Sequence, residues 1–163
     1  MRGEIKVGRG ALVANAGEHY VVAELLKRGA VAALVPRNVP SIDVLATKGS
    51  KTVRIRVKTK SAQYDDWQWV IKKDGTIFRE LELKDDFTVL VDLAEATRDL
   101  RFYVVPTARI DKWLRDDHER WLSTPGRNGR KHDPENTKRH LNTRKREKDL
   151  EQYLEAWNGI WSS

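Results

Sequence analysis

The sequence predicts a mixed α/β fold, a central β-sheet flanked by helices, and three observations lead there. Two segments carry apolar residues at helical spacing, near the start of the chain and after residue 106. Seven short segments of β-type composition lie between them. The 163 residues suit one domain with a helical appendage, and they hold no internal repeat and no low-complexity tract.

Residues 15–29 read as the first helix, with a start as early as Arg9 compatible. Val21, Val22, Leu25 and Leu26 share a face, Lys27 and Arg28 suit the negative end of the helix dipole, and Gly29 fits the stop. Strands are expected over 31–35, 42–46 and 52–60, with Lys48, Gly49 and Ser50 turning between the last two. A hairpin-like insert follows: 67–71, a turn at Asp74 and Gly75, and 76–83. Segments 87–93 and 101–105 are apolar enough for central strands. Residues 107–122 form a second helix, capped by Thr107, with Ile110, Trp113, Leu114, Trp121 and Leu122 on a broad stripe. A loop rich in Pro, Gly and Asn spans 123–134. A last helix is expected over 143–161, with Leu150, Tyr153, Leu154, Trp157 and Trp161 on one face, packing on the domain or on a partner. The division is a core domain over 1–122 and a basic loop with a C-terminal helical extension over 123–163.

Composition excludes several classes. There is no cysteine, so disulfide scaffolds, thiolate zinc sites and cysteine nucleophiles are out. No apolar run reaches the roughly 20 residues of a membrane span, so no membrane role is expected. The first ten residues lack the apolar stretch of a signal peptide, and a cytoplasmic protein is the default. The formal charge is +7, and residues 127–148 alone hold nine basic residues against three acidic ones. Such a local field attracts phosphate backbones; a solvated connector is the plainer reading. The cations expected to meet nucleic acid there are Arg127, Arg130, Lys131, Lys138, Arg139, Arg144, Lys145 and Arg146.

The chemistry concentrates earlier. Along 52–60, period-two alternation puts Val53, Ile55, Val57 and Thr59 on one face, and Arg54, Arg56, Lys58 and Lys60 on the other. The cationic face must meet carboxylates, water or phosphate, because an unpaired buried charge is very costly. A tight hairpin brings Asp43 alongside, and Glu18 sits on the helix before it. Gly17-Glu18, then Pro40-Ser41-Ile42-Asp43, then Arg54-Ile55-Arg56-Val57-Lys58-Thr59, with Lys58 fifteen residues after Asp43, resembles the PD-(D/E)XK nuclease superfamily over residues 16–60. Its short bacterial endonuclease-like members and its Holliday-junction resolvases have the most similar spacing. The resemblance implies a restriction-endonuclease-like core and a nuclease that hydrolyses DNA phosphodiesters with Mg²⁺ or Mn²⁺. It implies catalytic roles for Glu18, Asp43 and Lys58, and metal ligation by Asp43 and the Val57 carbonyl, with Glu18 helping through water. Arg54, Arg56 and Lys60 are expected to contact nucleic acid.

One position departs from the family. Arg56 stands where an acidic or amide ligand is expected, and a guanidinium cannot ligate metal. At about 5 Å and an effective dielectric of about 20 it would repel each unit of metal charge by roughly 3 kcal/mol. Two versions stay open: Arg56 grips the phosphate beside a working metal site, or it pairs with Asp43 or Glu18 in a degenerate centre that only binds nucleic acid. An interaction or homodimer module, docking through the C-terminal tryptophan helix, is a third reading. His132, Asn136 and His140 lack the spacing and the flanking strands of an HNH nuclease. Trp113, Trp121, Trp157 and Trp161 are expected in the core, and Trp67 and Trp69 in core or dimer packing rather than against bases.

Overall fold

The computed structural model describes residues 9–79, 81, 85–94 and 99–162. Helix α1 spans Arg9–Lys27. It ends as the glycine predicts: Gly29 takes φ +78°, its N–H bonds to the Leu26 carbonyl at 2.9 Å and that of Ala30 to Leu25 at 3.1 Å, a Schellman stop. Strands β1 (Val31–Leu34), β2 (Val44–Lys48) and β3 (Lys51–Ser61) follow. Lys48 pairs with Lys51 across a two-residue loop in which Gly49 supplies φ +61°. Then come β4 (Asp66–Val70), β5 (Asp86–Leu93), β6 (Arg101–Pro106) and helix α2 (Thr107–Ser123). A 3-10 turn at Arg127–Gly129 leads to β7 (Lys138–Asn142) and a short α3 (Glu147–Glu151).

The fold is mixed α/β. Five strands form a central sheet in the order β1-β2-β3-β5-β6, in which β3 and β5 run parallel and the other neighbours antiparallel. Two apolar cores flank it. On one side α1 packs Val21 and Leu25 on Val44, Val53, Ile55 and Val89. On the other, α2 packs Ile110, Trp113 and Leu114 on Leu90, Tyr103 and Val105, together with a small sheet of β4 and β7.

Four expectations fail. Thr107 does not cap α2: Pro106 precedes the helix, and the Thr107 hydroxyl donates to Asp86 instead. Trp121 joins neither core and lines a cavity beside α2. The insert is not a self-paired hairpin. Its turn is present, with Gly75 at φ +78°, but Ile77 and Phe78 are consecutive and both buried. A strand sends neighbours to opposite faces, so this pair plugs the core from an irregular segment instead. Residues 80 and 82–83 of that expected strand lie outside the described residues. Strand β4 pairs with β7, which has one apolar side chain, Leu141, fully buried.

The expected C-terminal helix over 143–161 is also absent as a unit. After α3 the chain runs beside β6: Tyr153 O accepts from Val104 N at 2.9 Å and Glu155 N donates to Phe102 O at 2.8 Å, with Glu155 at φ +53°. A 3-10 turn at Trp157–Ile160 follows. The apolar stripe is thereby split. Leu150 and Tyr153 pack on the α2 side of the sheet, Trp157 and Ile160 on the α1 side. A straight helix cannot wrap the sheet edge to reach both. The stripe is spent inside its own domain, with Trp157 only 2% exposed.

Candidate active site

Strand β3 carries the four cations the sequence places on one face, and they meet different fates. Arg56 grips Asp86 of β5 with Nε to Oδ1 at 2.9 Å and Nη2 to Oδ2 at 2.7 Å, and also reaches the Arg79 carbonyl at 2.8 Å. Arg54 donates to the same carboxylate at 3.2 Å, and Thr107 adds its hydroxyl at 2.5 Å. Lys60 pairs with Asp92 at 2.7 Å and donates to the Tyr64 carbonyl at 3.0 Å. Arg56 and Lys60 are each 7% exposed, and they lie over the rings of Phe78 and Trp67. The parallel register explains the pairing: Arg54 lies opposite Asp86 and Lys60 opposite Asp92, whereas Lys58 lies opposite Leu90. Lys58 therefore has neither ion pair nor hydrogen bond among the described residues. It has only the ring of Trp69, 5.3 Å away. Burial pushes its ammonium below the usual lysine range, and Asp43 partly offsets that.

The pairing of Arg56 with Asp43 or Glu18 is corrected by this geometry: Asp86 takes its Nε and Nη2, while the side chain also lines the cleft that holds Asp43. Lys60 is committed in the same way. So is Arg146, held by Asp117 at 2.6 Å and Asp149 at 2.7 Å against Trp113.

On the opposite edge of β3 the backbone ladder runs out. Val44 and Ile55 are the last pair with β2, and Asp43 N still bonds to Ile55 O at 2.9 Å while Asp43 O accepts from Val35 N at 2.9 Å. This double tie fixes the Asp43 backbone between β1 and β3. Before it, residues 36–42 turn away, with Ser41 at φ +75°. The Val57 N–H, left without a strand partner, donates to Asp43 Oδ2 at 2.7 Å. Because N–H and C=O of one strand residue point to the same edge, the Val57 carbonyl faces this open end too.

Glu18 arrives from α1. The helix crosses β3 so closely that a Cβ at Gly17 would lie 1.9 Å from Thr59 Oγ1, and that hydroxyl has no hydrogen-bond partner among the described residues. Glu18 makes no hydrogen bond among the described residues; Arg37 stands 3.9 Å away. Burial, then the neighbouring Asp43 charge, raise its pKa. Burial also raises that of Asp43, against the Val57 hydrogen bond and the nearby cations Arg56, Lys58 and Arg37. Glu18, Asp43, Val57 and Lys58 thus line one open cleft of about 480 Å³. The sequence reading missed three other cations that line it, Arg37, Lys72 and Arg79. Nothing in their local patterns marks them, since only tertiary folding brings them there.

No group of three or more His, Cys, Asp or Glu side chains that could hold a metal occurs among the described residues. The oxygens that line the cleft include the Glu18 and Asp43 carboxylates and the Val57 carbonyl. Magnesium, which takes oxygen ligands and keeps several waters, suits such a sparse set.

The remaining cations lie elsewhere. Arg127, Arg130, Lys131, Lys138 and Lys145 are exposed, and Arg144 reaches Asp65 at 2.9 Å. Lys138, Arg139 and Lys145 line a second cavity of about 470 Å³ beside α2. There Trp121 stacks on His132, with ring centroids 4.0 Å apart, and on His118 at 5.4 Å.

No protein-family model matches the chain, and no curated protein does. A solved structure of a bacterial homing endonuclease is similar over 94% of this chain and 92% of its own, with a TM-score of 0.52 and 19% sequence identity. At that identity the likeness shows a shared fold, one that a nuclease uses.

Proposed function

We propose that the chain is a divalent-metal-dependent nuclease of the PD-(D/E)XK type that hydrolyses DNA phosphodiester bonds, centred on Glu18, Asp43 and Lys58. One observation carries this reading. Of the five cations on β3, Lys58 alone is left without a carboxylate partner among the described residues, and it shares the cleft with two carboxylates whose pKa burial raises. An arrangement that costs stability without an evident structural return is what a functional site looks like.

The residues fit Mg²⁺ or Mn²⁺. Asp43 keeps one oxygen clear of the Val57 hydrogen bond, the Val57 carbonyl faces the same space, and Glu18 is placed to act through water. Bound there, the metal would polarise a phosphoryl oxygen and lower the pKa of an attacking water. Lys58 orients that water and offsets the negative charge that develops on the phosphate. Arg56, paired with an Asp86 carboxylate that Arg54 shares, imposes less repulsion on a cation than its bare charge would. The exposed cations of residues 127–145 add sequence-independent contacts to the backbone.

The test is cleavage of supercoiled plasmid with Mg²⁺. Asp43→Ala and Lys58→Ala should each lower the rate by roughly a hundredfold or more while folding normally; undiminished cleavage by both overturns the reading. A second reading has its own support: Arg56 removes the acidic ligand expected at its position, so the site holds two carboxylates. A nuclease fold kept only for nucleic-acid binding would leave plasmid intact. It would bind DNA in a salt-sensitive way that survives Asp43→Ala and falls when Lys138, Arg139 and Lys145 are neutralised.

A further inference from the structure

The cleft contains more positive charge than its two carboxylates answer. Arg37 lines it, 3.9 Å from Glu18. The segment after β4 lines it too and turns back on itself, with Lys72 N bonded to Thr76 O at 2.8 Å and Gly75 N to Lys72 O at 2.9 Å. Its base is anchored by Ile77 and Phe78 in the core. Its far end is tied where Arg56 grips the Arg79 carbonyl. The turn is therefore held firmly over the site, and it presents Lys72 and Arg79 to the cavity. Neither side chain has an ion pair or hydrogen bond among the described residues. The nearby acid, Asp74, is engaged by Thr76 through both N–H and hydroxyl, at 2.9 and 2.6 Å. Burial and the charges of Arg79 and Arg56 together push the Lys72 ammonium down. Cations crowded to the point of opposing one another, on a braced turn, call for an anion between them.

We infer that Lys72 and Arg79 form a phosphate clamp that grips the nucleic-acid backbone beside the Asp43 centre. This rests on the nuclease reading for its choice of anion, a phosphodiester, and extends it to the turn over residues 72–79. The clamp holds the backbone across the cleft from Asp43, so that an in-line phosphate meets Lys58 and the carboxylates from one direction. Lys72 and Arg79 are positioning residues: they bind the strand and leave the chemical step to the residues below.

The experiment measures binding of a short DNA duplex without metal over a range of salt, alongside plasmid cleavage with Mg²⁺. Each phosphate contact contributes about 0.9 to the slope of log K against log salt. Losing two contacts in K72Q/R79Q should flatten the slope by roughly two and raise KM for cleavage with little change in kcat. Lys73→Gln is the control, an exposed lysine of the same turn that does not line the cleft; it should leave the slope within about half a unit of wild type. An unchanged slope in K72Q/R79Q, or an equal fall in Lys73→Gln, overturns the clamp. The outcomes separate the two readings. If wild type cleaves and K72Q/R79Q keeps its KM, the clamp fails and the nuclease stands. If wild type binds without cleaving and the double variant flattens the slope, the clamp stands and the nuclease fails.

Discussion

The two edges of β3 differ in how they settle their polar groups. Towards β5 three cations find carboxylates: Arg54 and Lys60 pair with Asp86 and Asp92, which lie opposite them, and Arg56 reaches Asp86 from two residues along. Towards β2 the pairing stops at Ile55, and the Asp43 carboxylate, the Val57 carbonyl and the Lys58 ammonium share the open end. One edge is closed and holds the sheet together. The other is left unfinished, and the unfinished edge is where ligand chemistry becomes available. The contrast also accounts for Arg56. A residue that looks like damage to a metal site belongs, by its contacts, to the closed edge.

That division can be broken most forcefully at Asp86. Asp86→Ala strands the Arg56 guanidinium in the interior, and it should cost about 3–5 kcal/mol, read from the urea midpoint. A loss under about 1 kcal/mol would mean the closed edge is not structural. Gly17→Ala should cost about 1–3 kcal/mol, because its Cβ collides with Thr59 and α1 must lift from β3. The same lift displaces Glu18, so cleavage should fall further than stability does. Lys58→Met probes the open edge with the opposite sign. A methionine packs on Trp69 without carrying a buried charge, so the variant should gain about 1 kcal/mol while losing cleavage. A loss of stability comparable to Asp86→Ala would erase the distinction between the edges.

The smallest effect is in the pH dependence. The folded Asp43 binds its proton more tightly than the unfolded chain does, and so does Glu18. The folded state therefore holds more protons from about pH 3.8 upward for Asp43, and wild-type stability should fall as pH rises through that window. Asp43→Asn removes the Asp43 share of the effect. The two proteins should match below pH 3.8, and the asparagine variant should be the more stable at neutral pH. Mg²⁺ should raise the thermal midpoint of wild type and leave that of Asp43→Asn unmoved. Equal shifts in both would put the metal elsewhere.

Much of this contrast is legible in the sequence, and the reasons are local. Alternation along β3 assigns its faces, Gly49 marks the hairpin, and together they bring Asp43 towards Lys58. The close crossing of α1 over β3 at Gly17 shows only in the folded chain. What escapes detection depends on residues far apart in the chain. Asp86, thirty positions beyond Arg56, carries no pattern that ties the two. Strand β7 offers one apolar side chain among cations, as an edge strand does, and its partner β4 lies some seventy residues earlier. The helical stripe of residues 150–161 is real as a periodicity, yet its members serve two cores on opposite sides of a sheet.

That split has a consequence in time. Arg28, just past the end of α1, lies over the ring of Trp157 and pairs with Glu155 at 3.2 Å, so the α1 core is closed by residues 127 positions further along the chain. A ribosome adding about 5–20 residues per second takes roughly 6–25 seconds to cover that distance, and the α1 core lacks those contacts until then.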